Sequence, residues 1–257
     1  NGPVRAQILG MPTPQKEQQA GRVKDYMNWQ IMDQMKEYEP EFDQMLFNLP
    51  LAGSTFKKIY YDDLMQRAVS KFVPADDLVV PYTATSLDDC ESVIHVIRMT
   101  ENELRKKQVG GFYRDIEVNP SYMQETEIQK KERALEGAAK GRDERMFTIL
   151  ECHVNVDLEG FEDVGAEGEP TEIKLPYIVA IEEGTRKILS IRRNYDIQDA
   201  LKKKIDYFVH FKFLPGLGFY GFGLIHMIGG LSRTATAALR QLLDAGTLSN
   251  LPAGFKM

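Results

Sequence analysis

"HFKFLPGLGFYGFG", residues 210–223, sets Gly216, Gly218 and Gly221 at the spacing G-x-G-x-x-G between a strand-like run and a helical pattern. A dinucleotide-binding fold uses such a turn to bring backbone against a pyrophosphate. It then needs a second parallel strand ending in an acidic residue about 20 residues on. A chain passing from a sheet into a helix uses the same glycines for backbone freedom. The stretch beyond the helical run, "GTLSNLPAGFKM" (246–257), is turn material, and Pro215, Phe219, Tyr220 and Phe222 crowd the place where a phosphate would lie. The segment therefore reads as a hinge built on Pro215, Gly216, Gly218, Gly221 and Gly223. An oxidoreductase using the Gly216–Gly221 loop is the alternative.

The run after the hinge carries Leu224, Ile228, Leu231, Ala235, Leu239 and Leu242 at helical spacing, with Gly246 where a C-cap belongs. Gly229 and Gly230 sit inside it, each costing about 1 kcal/mol against alanine. A run of small residues from Ser232 to Ala238 follows. Small side chains let helix axes approach closely. The pattern fits a core helix of this domain or a helix packed between copies of itself. Arg233 and Arg240, seven residues apart, fall on the face opposite the leucines.

Upstream the periodicity alternates. Residues 14–38 read as an amphipathic helix through Val23, Met27, Ile31, Met35 and Tyr38, stopped by Pro40, with a short helix over 41–48. "STFKKIYYDD" and "RAVSKFVP" read as a hairpin over an Asp62–Gln66 turn, "LVVPY" as an extended piece and "ESVIHVIRM" as a strand. Thr100 and Glu103 form a capping-box pattern opening a helix to Gln108, closed by Gly110 and Gly111. Residues 121–145 are nearly all charged or small, a polar insertion that is solvated helix or disorder. "MFTILECHVNVDL" is a strand, and "IKLPYIVAI" with "KILSIRRNY" forms a second hairpin through Glu183 and Gly184. The expected class is α+β: an antiparallel, hairpin-rich domain with the 14–38 and 100–108 helices packed on it, then a long helix.

The chain has 257 residues, 43% of them hydrophobic and 27% charged, with a net charge of −6. This acidic balance argues against a nucleic-acid coat protein, though not against local basic patches. Cys90 and Cys152 lie in apolar runs without metal-ligand spacing and read as buried free thiols. His95, His153, His210 and His226 are scattered and make no zinc motif. The acidic pairs Asp62-Asp63, Asp76-Asp77 and Asp88-Asp89 fall at turns, where Asp bonds the backbone. No G-x-x-x-x-G-K-[ST] loop, serine-nucleophile motif or cofactor site is evident. No apolar run reaches the roughly 20 residues of a membrane span. The ends, "NGPVRAQ" and "LPAGFKM", read as those of a piece of a longer protein.

Four stretches carry a resemblance. "RVKDYMNWQIMDQMKEYEPEFDQMLFNLPLAGSTFKKIYYD" (22–62) resembles the helix-to-hairpin opening of the wing domain in portal proteins of tailed double-stranded-DNA bacteriophages, of the short-tailed-phage type. "FVPADDLVVPY" (72–82) and "HVIRMTENELRKKQVGGFYRD" (95–115) are similar to the next part of that family. "FLPGLGFYGFGLIHMIGGLSRTATAALRQLLDAGTLSNLPAGFK" (213–256) resembles its passage from wing to first stem helix to clip.

The resemblance implies a structural protein and not an enzyme: a ring of usually twelve subunits at one capsid vertex of the virion. DNA would be packaged and ejected through it, with transient, non-specific double-stranded-DNA contact. Terminase, capsid or scaffold proteins and a tail adaptor would be partners, with assembly in the host cytoplasm and no membrane. Residues 1–221 would be the wing, 222–246 the stem helix and 247–257 the start of the clip. The leucine stripe would pack between subunits, Arg233 and Arg240 would face the channel or a neighbour, and Lys256 would sit at the clip entrance. The returning stem helix, tunnel loop and crown would follow Met257.

Overall fold

The computed structural model describes residues 2–120, 146–164, 169 and 171–250. The polar insertion at 121–145 and Lys256 lie outside them. The architecture is α+β with two antiparallel sheets and a long last helix.

Helix α1 spans Pro14–Trp29, with Thr13 as N-cap accepting from the Lys16 N–H. The expected continuous helix over 14–38 does not form. A π-helical turn at Gln30–Gln34 inserts an extra residue per turn, and Met35 (φ −89°, ψ 76°) leaves helical geometry. The inserted residue breaks the stripe: α1 buries none of its side chains, so it is not a helix packed on the sheets. That role falls to α2, Tyr38–Ala52. Pro40 does not stop a helix; it sits in the first turn of α2, where its missing N–H is not needed. Gly53 closes α2 in the left-handed region at φ 86°, donating to Leu49 O.

Strand β1 (Ser54–Asp62) is central in a three-stranded sheet, between β2 (Arg67–Pro74) and β8 (Phe208–Lys212). The turn from β1 to β2 forms as expected, with Asp62 Oδ1 accepting from the N–H groups of Leu64 and Met65. Successive β1 side chains point to opposite layers. Lys57 faces α2, its ammonium 4.2 Å from the Tyr38 ring centre and 5.0 Å from that of Phe42. Lys58 faces the second sheet.

That sheet has the order β3-β4-β5-β6-β7, all antiparallel, from β3 (Leu78–Val79), β4 (Ser92–Thr100), β5 (Met146–Val156), β6 (Leu175–Glu182) and β7 (Ile188–Arg193). The capping box on α3 (Glu101–Val109) is present in full: Thr100 Oγ1 accepts from Glu103 N–H, and Glu103 Oε2 accepts from Thr100 N–H. The β6–β7 turn is held by the Glu182 carboxylate, which accepts from Gly184 and Thr185 N–H. One core joins α3 to this sheet through Met99, Leu104, Tyr113, Phe147, Ile149, Ala180 and Leu189. A second lies between the sheets around Phe56, Val73, Leu78, Val93 and Phe219.

The cysteines are free, but neither matches its expected place fully. Cys90 is buried in a turn before β4, donating to Ser86 O, while Cys152 in β5 is only half-buried. Helix α4 spans Leu224–Asn250 and runs straight through Gly246, which is therefore no C-cap.

Candidate functional site

The hinge residues lie where β8 leaves its sheet. β8 pairs antiparallel to β1, from Ser54↔Lys212 to Lys58↔Phe208. The strand entering the glycine segment is thus an antiparallel edge, not the parallel strand from which a dinucleotide loop departs. The loop is also filled. Phe219 is buried, stacked 5.9 Å from Phe56 and 4.8 Å from His210, and Tyr220 OH donates to Leu78 O.

Close approach explains most of the glycines. A Cβ on Gly216 would lie 2.0 Å from Tyr220 O; on Gly221, 2.5 Å from Gly53 O; on Gly223, 2.2 Å from Leu51 O. Gly53 meets the segment from the other side, 2.4 Å from Gly223 N by the same measure. Two glycine-bearing backbones cross here: the end of α2 and the foot of α4. Only Gly218 has open space around it, beside the exposed Pro215. A Leu214↔Phe222 bridge and a bond from Phe213 N–H to Gly53 O complete the crossing.

Ser54 binds the crossing together, which the sequence did not disclose. Its buried Oγ accepts from Gly221 N–H at 2.7 Å and lies 3.1 Å from His210 Nε2. His226, one turn into α4, folds back so that its Nδ1 accepts from Gly223 N–H at 3.1 Å. That satisfies one of the orphan donors at the helix start.

From there α4 leaves the domain. Leu224 is half-buried, but from Leu231 to Ser249 every residue is exposed; Leu231 is 72% and Leu242 71% accessible. The helix is not a core helix of this domain. At 100° per residue, Leu224, Ile228, Leu231, Ala235, Leu239 and Leu242 fall within about 80° of one another, and Arg233 and Arg240 lie about 160–180° from Leu224. Twenty-seven residues give about 40 Å of length. Thr234, Thr236 and Thr247 each donate to a carbonyl four residues back, so both threonine hydroxyls of the small-residue run are satisfied within the helix.

A second group that the sequence did not reveal lies between the sheets. Glu151 Oε1 accepts from Lys58 Nζ at 2.5 Å and sits 2.8 Å from His153 Nε2. Burial disfavours the Glu151 charge, but the His153 hydrogen bond and the Lys58 ammonium outweigh it, and its pKa falls below the usual carboxylate range. Burial, reinforced by Lys58, pushes neighbouring His95 down to about 3, so that it is neutral. Alternation along β5 puts Glu151 and His153 on one face; only the stacking of the two sheets brings Lys58 to them.

No curated protein matches the chain. The family model described as phage SU10 portal protein matches residues 57–255, well over half of the sequence. That span takes in both sheets apart from the first three residues of β1, the 216–223 side of the glycine crossing and the projecting helix. The chain belongs to the phage SU10 portal protein family.

Proposed function

We propose that this chain supplies the wing and first stem helix of one subunit in a portal ring, usually of twelve, at a single capsid vertex. The supporting observation is α4: a helix of about 40 Å, rooted at one end and carrying an apolar stripe that nothing in its own domain covers. A leucine face of that size in water calls for a partner, and neighbouring copies around a ring supply one at every subunit. In this reading residues 1–221 are the wing, 222–246 the stem and 247–257 the approach to the clip, with Lys256 at its entrance.

The ring is a conduit for double-stranded DNA during packaging and ejection. Tight phosphate contacts would stall a moving polyanion, which fits an acidic chain with isolated cations such as Arg233 and Arg240 on the helix. ATP hydrolysis belongs to the terminase, which docks on the ring together with capsid or scaffold proteins and a tail adaptor. No residue of this chain is assigned a catalytic role. The subunits assemble in the host cytoplasm and remain in the virion.

The test is the mass and shape of the complete protein in solution, by native mass spectrometry and single-particle imaging. A closed ring with α4 at its inter-subunit contacts is expected. A monomer, or a ring with α4 on the outer rim, would overturn the reading.

A further inference from the structure

A cavity of about 840 Å³ opens between the two sheets, near α3 and the loop that follows it. That volume lies within the range of small-molecule sites, roughly 300–1,000 Å³. Its lining brings together five cationic side chains, Lys58, Lys71, Lys107, Arg114 and Arg192, with only three carboxylates, Asp62, Asp63 and Glu151.

Two of those carboxylates are already committed. Glu151 is taken up by Lys58 and His153, and Asp62 by the two N–H groups of its turn. Lys107 and Arg192 form no ion pair among the described residues. Both are held in place by aromatic rings instead. Lys107 Nζ lies 5.2 Å from the Phe112 ring centre and 5.4 Å from that of Tyr113, and the Arg192 guanidinium lies 4.0 Å from Phe112. Burial lowers the Lys107 pKa; Glu151 opposes this, while Lys58 and Lys71 add to it by repulsion. Cationic side chains outnumber carboxylates five to three in this half-enclosed place.

The polar inventory points the same way. His95 Nδ1, Tyr113 OH, Ser190 Oγ and Arg192 Nε, all on lining residues, have no hydrogen-bond partner among the described residues, and Tyr113 is only 2% exposed. Buried polar groups in folded proteins are nearly always paired, and four unpaired atoms gather on residues that line one cavity. Tyr60, Phe112 and Tyr207 supply flat apolar wall beside the cations.

We propose that this cavity binds a small phosphate-bearing anion, a polyphosphate or a nucleotide, with Lys107 and Arg192 as the phosphate contacts. The pairing suits the chemistry. A fixed guanidinium gives two-pronged bonds to phosphate oxygens, and an ammonium adds a point charge. None of its lining residues belongs to α4.

The test is calorimetric titration of the chain with inorganic pyrophosphate and, separately, with ATP. Saturable one-to-one binding is expected, with a melting temperature that rises with ligand concentration. Lys107→Gln and Arg192→Gln should each weaken binding about tenfold or more, while Lys16→Gln on exposed α1 should not. ATP binding tighter than pyrophosphate would assign the aromatic wall to a base, and equal affinities would assign the site to phosphate alone; either supports the proposal. No saturable binding of either ligand by the unaltered chain would overturn it. So would binding that both variants leave unchanged, or binding of an acidic peptide in place of both phosphates.

Discussion

Gly221 N–H donates to Ser54 Oγ at 2.7 Å, a buried bond that joins the foot of α4 to the first residue of β1 across 167 positions of sequence. Removing the hydroxyl leaves that N–H in the interior with no partner. Ser54→Ala is therefore expected to destabilise the chain by about 1–3 kcal/mol. Urea denaturation measures the loss. Hydrogen exchange should place it at residues 221–223, and an unchanged midpoint would show that water replaces the hydroxyl.

The glycines of the crossing make a paired prediction. Gly223→Ala would set a methyl 2.2 Å from Leu51 O and 2.6 Å from Gly53 N, both backbone atoms that cannot swing away. A loss of about 2 kcal/mol or more is expected. Gly218→Ala meets nothing within 4 Å. It should be neutral or stabilising by up to about 1 kcal/mol, through a less flexible unfolded chain. Thermal melts of the two variants side by side decide whether the segment is held by close packing.

Acid should loosen the space between the sheets. His95 is held neutral, first by burial and then by the Lys58 ammonium, with His153 and Lys71 adding and Glu151 opposing, so its folded pKa is about 3 against 6.5 in a free chain. His210, half-buried and near Lys212, falls to about 4. A depressed histidine binds its proton more readily in the unfolded chain. Its contribution is complete above pH 6.5 and shrinks as pH falls towards the folded value. Glu151, with its lowered pKa, acts in the same direction below about pH 4.5. Stability should therefore decline from pH 6.5 downwards, and His95→Gln should flatten the decline between pH 6.5 and 4.5. Equal slopes for the two proteins would remove His95 as a cause.

The stripe on α4 separates folding from assembly. Leu231→Asp with Leu239→Asp changes side chains already in water, so the melting curve of this chain should move by no more than about 0.5 kcal/mol. In the complete protein the same pair should prevent ring formation, which mass measurement would detect. Charge reversal at Arg233 and Arg240 together should impair DNA packaging or ring assembly and leave the domain folded. Normal rings and normal packaging would remove those two residues from the reading.

Local signals were legible in the sequence wherever one residue determines one turn. Thr100 and Glu103 announced α3, Asp62 announced the β1–β2 turn, and alternation marked the strands. The errors came where tertiary context overrode the local rule. Met35 satisfied a helical stripe on paper, yet one π-turn shifted the register and left α1 without a packing face. Pro40 looks like a stop, yet a helix accepts proline in its first turn. Gly246 resembles a cap, but the helix continues past it to Asn250. The glycines of 216–223 pack against Gly53, which is 168 positions before Gly221 and invisible to any short motif. The Lys58–Glu151–His153 group was hidden for the same reason: only sheet stacking brings β1 to β5.

Lys57 and Lys58, adjacent on β1 and aimed into opposite layers, bear on how the strand finds its alignment. A slip of one residue turns every side chain to the other face. Shifted one way, Lys57 would replace Lys58 beside Glu151 and the ion pair would survive. Electrostatics alone is thus degenerate between two alignments. Phe56, with 0% exposure, resolves the degeneracy, because the slip would put Thr55 in its slot in the core. Shifted the other way, Lys57 itself would enter that slot. The two charges tolerate a misalignment that a single benzyl group forbids.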